Sequence, residues 1–149
     1  MKATVSASAL ALSLIASTAS AQAVRTEKNM SLELANQIAA ATVAACAANN
    51  YNVTAAVVDR AGTLRALQRA DNAGPHTVGA AQGKAFTSAS AKAPTTAMLE
   101  NVQKNPGAQT LVDIPGFLIL GGGVPVKVGN EVIGAVGVGG APITSLPTL

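Results

Sequence analysis

His76 is the only histidine in the 149-residue chain, and its side chain offers the widest range of chemistry. It follows Pro75, and proline is favoured at the first position of a helix, so we expect His76 in the first helical turn. A neutral imidazole there could coordinate iron or act as a general acid or base. For acid–base chemistry the best partners are Asp59 and Asp71, although both occur in predicted turns that they could instead cap. A zinc centre is not expected, because three or four ligands cannot be found at usable spacing.

Three cations near His76 in the sequence could complete a ligand-binding site. Lys84 lies eight residues later, about 12 Å along a helix and on nearly the same face. Arg65 and Arg69 alternate along a predicted strand, so both should point to the same side. These side chains could hold the carboxylates of a small-molecule ligand. Each could equally be a solvated surface charge, which is the commoner case.

The glycine-rich segments 121–123 and 134–140 do not predict a nucleotide site. No Gly-Lys-Ser/Thr sequence follows them, and neither segment lies between a strand and a helix. Glycines within strands more often mark bulges or a close approach of backbone. We therefore expect close contact with a ligand or a neighbouring subunit at these positions.

Helical and extended patterns alternate along the chain that must position these residues. Ser31 is a predicted N-cap, and the first helix has an apolar stripe at Leu34, Ile38, Ala41 and Ala45. Together the elements predict an α+β layered fold with an antiparallel sheet. The predicted helices are 32–48, 75 to about 94 and a short one capped by Thr95 or Thr96; the predicted strands are 53–58, 64–69, 117–120, 124–128 and 131–138.

The first 23 residues predict a cleaved signal peptide, which leaves residues 24–149 as the mature domain. Lys2 precedes an apolar run over 7–16, and small-x-small sites over 19–23 place the new N-terminus at Gln22 or Val24. A membrane anchor is the alternative, but the run falls short of about 20 apolar residues. We therefore expect a periplasmic or secreted protein with no integral membrane segment after processing.

Composition narrows the possible partners. Charged residues make up 11% of the chain and the net charge is +3, which excludes a disordered acidic chain and the clustered cations of a nucleic-acid binder. Cys46 is the only cysteine, so we expect it to be buried and inert; a redox role is the alternative. Only three aromatic residues are present, so the core must pack closely or a homo-oligomer must support it.

Five segments occur in the order found in a known family: 57–64, 69–73, 84–87, 121–126 and 133–141. With them, residues 30 to about 141 resemble the GlcG/HbpS family, also called the haem-degrading or DUF336 domain. The resemblance implies a profilin-like fold, a five-stranded antiparallel sheet flanked by helices, assembled into dimers and larger rings. It also implies binding of haem or a related tetrapyrrole in some members. If this chain binds haem, we expect His76 to be the iron ligand, with Lys84, Arg65, Arg69 and Asp71 around the ligand.

One departure from the family is plain at the C-terminus. Members continue into a closing helix with acidic residues, whereas here residues 142–149 contain two prolines and cannot form that helix. Two function classes remain open. One is an exported haem-binding protein whose pocket lies near a subunit interface, since aromatics are few. The other is a small enzyme or accessory factor that uses His76 with Asp71 or Lys84 on an organic metabolite, such as a 2-hydroxy acid.

Overall fold

A computed structural model describes residues 24–142 of the chain, which contain three α-helices, a 3₁₀ helix and four strands. The predicted signal peptide and residues 143–149 lie outside the described residues. Within those residues, no helix is long and apolar enough to cross a membrane. The elements are α1 (Leu32–Ala47), β1 (Thr54–Asp59), β2 (Leu64–Arg69), α2 (His76–Ala91), α3 (Thr95–Lys104), the 3₁₀ helix (Pro106–Asp113), β3 (Gly123–Val128) and β4 (Glu131–Gly139).

The four strands form one antiparallel sheet in the order β2-β1-β4-β3. The central strands β1 and β4 are buried along nearly their whole length, whereas β2 is an exposed edge strand. Gly129, in the left-handed region at φ 63°, turns the chain from β3 into β4, as the sequence predicts. A bulge interrupts the β1–β2 pairing, and Arg65 is the extra residue on β2.

Helices cover the two faces of the sheet. On one face α1 packs against β1 and β2, and on the other α2 packs against β4 and β1. Both layers are built from aliphatic side chains of small or medium size, so no single large residue dominates the core. The buried cluster on the α1 face is Met30, Ala35, Ala39, Val57, Ala66, Ile133 and Val136; that on the α2 face is Val58, Ala85, Ala89 and Ala135.

The described residues contain four strands, so the five-stranded sheet is not found there. The predicted strand over 117–120 is wrong because its backbone donors are used elsewhere. Phe117 N donates to Ile114 O at 3.0 Å, and Leu118 N donates to the Thr87 hydroxyl at 2.7 Å. With those donors committed, the segment runs alongside α2 instead of joining the sheet.

The helix starts agree with the sequence in one case and differ in another. Ser31 caps α1, because its hydroxyl accepts a hydrogen bond from Leu34 N at 3.1 Å. Thr95 begins α3 but does not cap it, since its hydroxyl accepts from Gly123 N at 2.8 Å and ties the helix to β3. The prediction that Thr95 or Thr96 caps α3 is therefore wrong, because Pro94 occupies the N-cap position.

The predicted apolar stripe of α1 is one residue out of register with the buried one. In the first half of the helix, alanines at 35 and 39 face the sheet in place of the predicted Leu34 and Ile38, which lets the helix approach closely. Leu34 and Ile38 are half-buried at the margin, and Ala41 is exposed. The buried positions are Ala35, Ala39, Thr42 and Cys46.

Candidate functional site

Helix α2, which carries His76, lies directly against the backbone of β4. A Cβ atom at Gly137 would be 2.5 Å from Ala85 N and closer still to Ala81 O. At Gly139 it would be 2.5 Å from Thr77 O. Only glycine fits at both positions. The close backbone approach predicted for segment 134–140 is present, but at Gly137 and Gly139 it is made by α2 of the same chain and not by a ligand or a neighbouring subunit. The glycines therefore fix the depth of α2 on the sheet and, with it, every side chain that α2 presents.

A groove of about 410 Å³ runs along the outer side of α2. We call it the α2 groove. Its other wall is the hairpin of β1 and β2, and its lining is mostly apolar or glycine. Gly79 faces open space, since a Cβ there would meet no atom within 4 Å. The lining residues are Val58, Gly62, Leu64, Gly79, Gln82, Gly83, Phe86 and Gly116.

Phe86 closes one end of the α2 groove. Its ring fits against Gly62 and Gly116, where a Cβ atom would come within 2.7 Å and 3.1 Å of the ring. Phe117 packs edge-to-face on it, with ring centroids 6.2 Å apart and planes at 74°. The segment over 117–120, which was predicted to be a strand, thus holds this end of the groove in place through Phe117.

His76 lies toward the opposite end of the same helix face. Its spacing from Gly79, Gly83 and Phe86 is three, seven and ten residues, which places all four along one side of α2. The imidazole is exposed and folds back over Gly74, where a Cβ would be 2.7 Å from His76 Cε1. No described residue hydrogen-bonds its ring nitrogens.

Arg69 and His76 do not line the groove, but both lie at the N-terminal end of α2, beyond Gly79. The Nε of Arg69 donates to Ala73 O at 2.9 Å, and Nη2 donates to the same oxygen, so the guanidinium is tied to the turn that leads into α2. The register of β2 with β1 places Arg69 on the face that carries α2, because its partner Thr54 bonds the Thr77 hydroxyl at 2.7 Å. Asp71 is exposed in the same turn.

The structure separates Lys84 from the other predicted ligand-binding residues. Its side chain is 4% exposed, turns toward the sheet, and donates to Val138 O at 2.9 Å. Burial lowers the pKa of this ammonium group, and no described carboxylate pairs with it. Lys84 therefore supports β4, and the prediction that it faces the ligand beside His76 is wrong.

Three further residues with candidate chemistry have surroundings that indicate how each side chain is used. Asp59 caps its turn, because one carboxylate oxygen accepts from Ala61 N and from Thr63 N, both at 3.0 Å. Arg65 is exposed at the bulge, away from the turn that holds Arg69. Cys46 is 1% exposed and burial raises the pKa of its thiol, as expected of an inert cysteine.

The α2 groove was not predicted from the sequence. Gly79 and Gly83 lie within a helix, where glycine costs up to about 1 kcal/mol relative to alanine. Glycine at such a position usually has a packing or functional reason, and this was the available signal. The helical spacing of Val78, Ala81, Ala85 and Ala89 does predict which face of α2 packs on the sheet, and the three alanines are buried there.

The arrangement suits a flat, largely apolar molecule with a few polar groups. The walls are mostly apolar, the glycines leave them flat, and one imidazole and one guanidinium lie beyond the lining, at the N-terminal end of α2. Within residues 24–142 no group of three or more His, Cys, Asp or Glu side chains could hold a bare metal ion. A haem group fits this donor set better, because its iron can take a single histidine from the protein.

Comparisons with known proteins agree with the resemblance in the sequence. The family model described as "Haem degrading protein HbpS-like" matches residues 30–145. Protein GlcG of Escherichia coli K12 is 38% identical over 115 residues, covering 77% of this chain and 84% of GlcG. The crystal structure of HbpS has 39% identity and a TM-score of 0.75, covering 80% of this chain and 82% of that one.

A haem complex of PduOC shares the fold at a TM-score of 0.69 and 23% identity, over 78% of this chain and 86% of that one. At this identity the likeness concerns the fold alone. The family model and the relatives above 30% identity cover most of the described residues. This chain therefore belongs to the HbpS-like family, together with GlcG.

Proposed function

We propose that this protein binds haem or a related tetrapyrrole in the α2 groove, and that it does so in the periplasm or after secretion. The description of its family refers to haem, and the groove provides a flat apolar slot. His76 shares one face of α2 with the groove and has no hydrogen-bond partner among the described residues. This free imidazole beside a glycine-lined slot is the observation that carries the proposal.

Two side chains have defined roles in this proposal. His76 would coordinate the iron, and Arg69 would pair with a carboxylate of the ligand. Arg69 is suited to that role because a guanidinium has five N–H donors and only two of its groups bond Ala73 O. When bound, haem would supply a redox-active iron. Neither Lys84, which is buried, nor Asp59, which caps its turn, takes part.

Leu64, which lines the groove, belongs to β2, the exposed edge strand of the sheet. A second copy of the chain docked there would supply a further wall, which is the basis for proposing a pocket near a subunit interface. Edge strands are common docking sites because their backbone groups lack a partner strand. The near absence of aromatic residues also favours a pocket that two subunits share.

The alternative function is an enzyme that uses His76 with Lys84 or Asp71. Of these two possible partners of His76, Lys84 is buried. Lys84 is held inside the fold at Val138 O and cannot reach a substrate beside His76 without breaking that contact. Asp71 is accessible, but no described contact links it to His76. The binding function is therefore the better supported of the two.

An absorbance titration with ferric haem tests the proposal. Wild-type protein is expected to give a saturable Soret band with one haem per groove. His76→Ala is expected to shift the Soret maximum and weaken binding at least tenfold, because it removes the axial ligand. Lys104→Gln, on the exposed surface of α3, is the matched control and should bind as the wild type does. No Soret change in the wild type would leave the metabolite-directed alternative.

A further inference from the structure

A second cleft, of about 550 Å³, lies where the β3–β4 hairpin meets the β1–β2 turn and the end of α2. We call it the cationic cleft. Four of its lining residues are cations, and they come from four separate parts of the chain. The lining residues are Lys28, Arg60, Lys92, Lys127, Val128, Gly129, Asn130, Glu131 and Val132.

The carboxylates around this cleft are already committed to Arg60. Its Nε pairs with Glu27 at 3.2 Å, and its Nη1 pairs with Glu131. The hydrogen bond from Arg60, aided by the charges of Arg60 and Lys28, lowers the pKa of Glu131 and keeps it ionised. Glu27 also pairs with Arg25 at 2.5 Å, so the two carboxylates serve two guanidinium groups, and neither forms an ion pair with a lysine of the cleft.

The lysines of the cleft differ from the other described lysines because they are both exposed and without an ion-pair partner among the described residues. Five lysines occur between residues 24 and 142; Lys84 is buried at Val138 O, and Lys104 pairs with Glu100 at 3.2 Å. The remaining three, Lys28, Lys92 and Lys127, are exposed and form no ion pair with a described residue. All three line the same cleft, although charged residues make up only 11% of the chain.

Lys92 also has an unfavourable backbone. It ends α2 in the left-handed region at φ 55°, where glycine or asparagine is usual and a side chain such as lysine is disfavoured. The other non-glycine residue with positive φ among the described residues is Asn50, a type that tolerates this region. Strained residues cluster at functional sites, and this one brings an unpaired cation to the rim of the cleft.

From these observations we propose that the cationic cleft binds a small polyanion, one with at least two phosphate or carboxylate groups. Lysine ammonium groups act as point charges on flexible stems, so three of them can converge on one anion of variable shape. A bound polyanion would place opposite charge beside all three ammonium groups, and the cleft volume suits a small metabolite better than a macromolecule. The β1–β2 turn separates this cleft from the α2 groove, so the inference is independent of haem.

Isothermal titration calorimetry of the full chain at low ionic strength, with inorganic pyrophosphate and with citrate, tests the inference. Saturable binding of one equivalent is expected, and the stronger of the two probes identifies phosphate or carboxylate as the preferred group. Lys28→Gln and Lys127→Gln should each weaken binding about fivefold, equal to about 1 kcal/mol. Lys104→Gln is the control and should leave the affinity unchanged.

Lys92→Gly separates a binding role from a structural one. Glycine suits the left-handed region, so the variant should melt at a higher temperature than the wild type while binding the anion about fivefold more weakly. Absence of saturable heat with both probes would overturn the inference. So would an equal loss of affinity in Lys104→Gln, since that would indicate non-specific charge attraction.

Discussion

Alanine substitutions at Gly137 and Gly79 add the same methyl group at two positions with opposite surroundings. At Gly137 the new carbon would lie 2.5 Å from Ala85 N and closer to Ala81 O, both in the backbone of α2. Ordinary contact begins at 3.4 Å, so α2 must move by at least 0.9 Å. At Gly79 the methyl would meet no atom within 4 Å. Neither residue has a positive φ, so the difference comes from packing alone.

The two variants should therefore change the free energy of unfolding in opposite directions. Overpacking typically costs about 1–3 kcal/mol, and we expect about 3 kcal/mol for Gly137→Ala because helix backbone, not a flexible side chain, must yield. Gly79→Ala should stabilise by about 0.5–1 kcal/mol, since alanine is the better helix former. The gap between the variants is then about 4 kcal/mol.

Urea unfolding followed by circular dichroism measures both variants against the wild type under the same conditions. A shift of the midpoint at constant slope would give the difference directly. If the free energies of unfolding of the two variants differed by less than 1 kcal/mol, the close packing of α2 on β4 would be wrong. The position of the α2 groove would then lose its basis.

Three further predictions concern Lys84, the assembly and the N-terminus. Burial lowers the pKa of Lys84, so the free energy of unfolding of the wild type should rise with pH from that lowered pKa up to about 10.4. Lys84→Met should remove this rise. Parallel pH profiles of the two proteins in urea unfolding would contradict the prediction. The exposed edge strand β2 should be covered by a second copy, so Leu64→Asp on that strand should lower the mass found by light scattering, whereas a monomeric wild type would refute the homo-oligomer. Intact mass of the exported protein should place its first residue at Gln22 or Val24, and a mass that retains residues 1–21 would exclude cleavage there.

Local sequence signals predicted the elements whose stability is local. The Ser31 cap, the turn at Gly129 and the alanine stripe of α2 all depend on residues within a few positions of one another. The segment over 117–120 looked like a strand because it is apolar, but hydropathy does not show where backbone donors go. The Thr87 hydroxyl, 31 residues away, takes one of them. Such a contact cannot be seen from periodicity.

The candidate site was predictable in part for the same reason. His76 at the start of α2 followed from Pro75, but the direction of Lys84 depended on how deeply α2 lies on β4. Glycines on β4, more than 50 residues away, set that depth and bring Val138 O within reach of the ammonium group. The α2 groove likewise arises between two elements, so neither segment alone predicts it.

Ferric haem titration of Gly79→Leu beside the wild type tests the proposed binding site most directly. The leucine side chain projects into the α2 groove from a position with no neighbouring atoms, and Gly79→Ala controls for the effect on the helix. If haem binds in the α2 groove, the wild type and Gly79→Ala should each give a saturable Soret band, and Gly79→Leu should bind haem at least tenfold more weakly. Equal affinity of Gly79→Leu and wild type would contradict it, because haem would then bind outside the α2 groove.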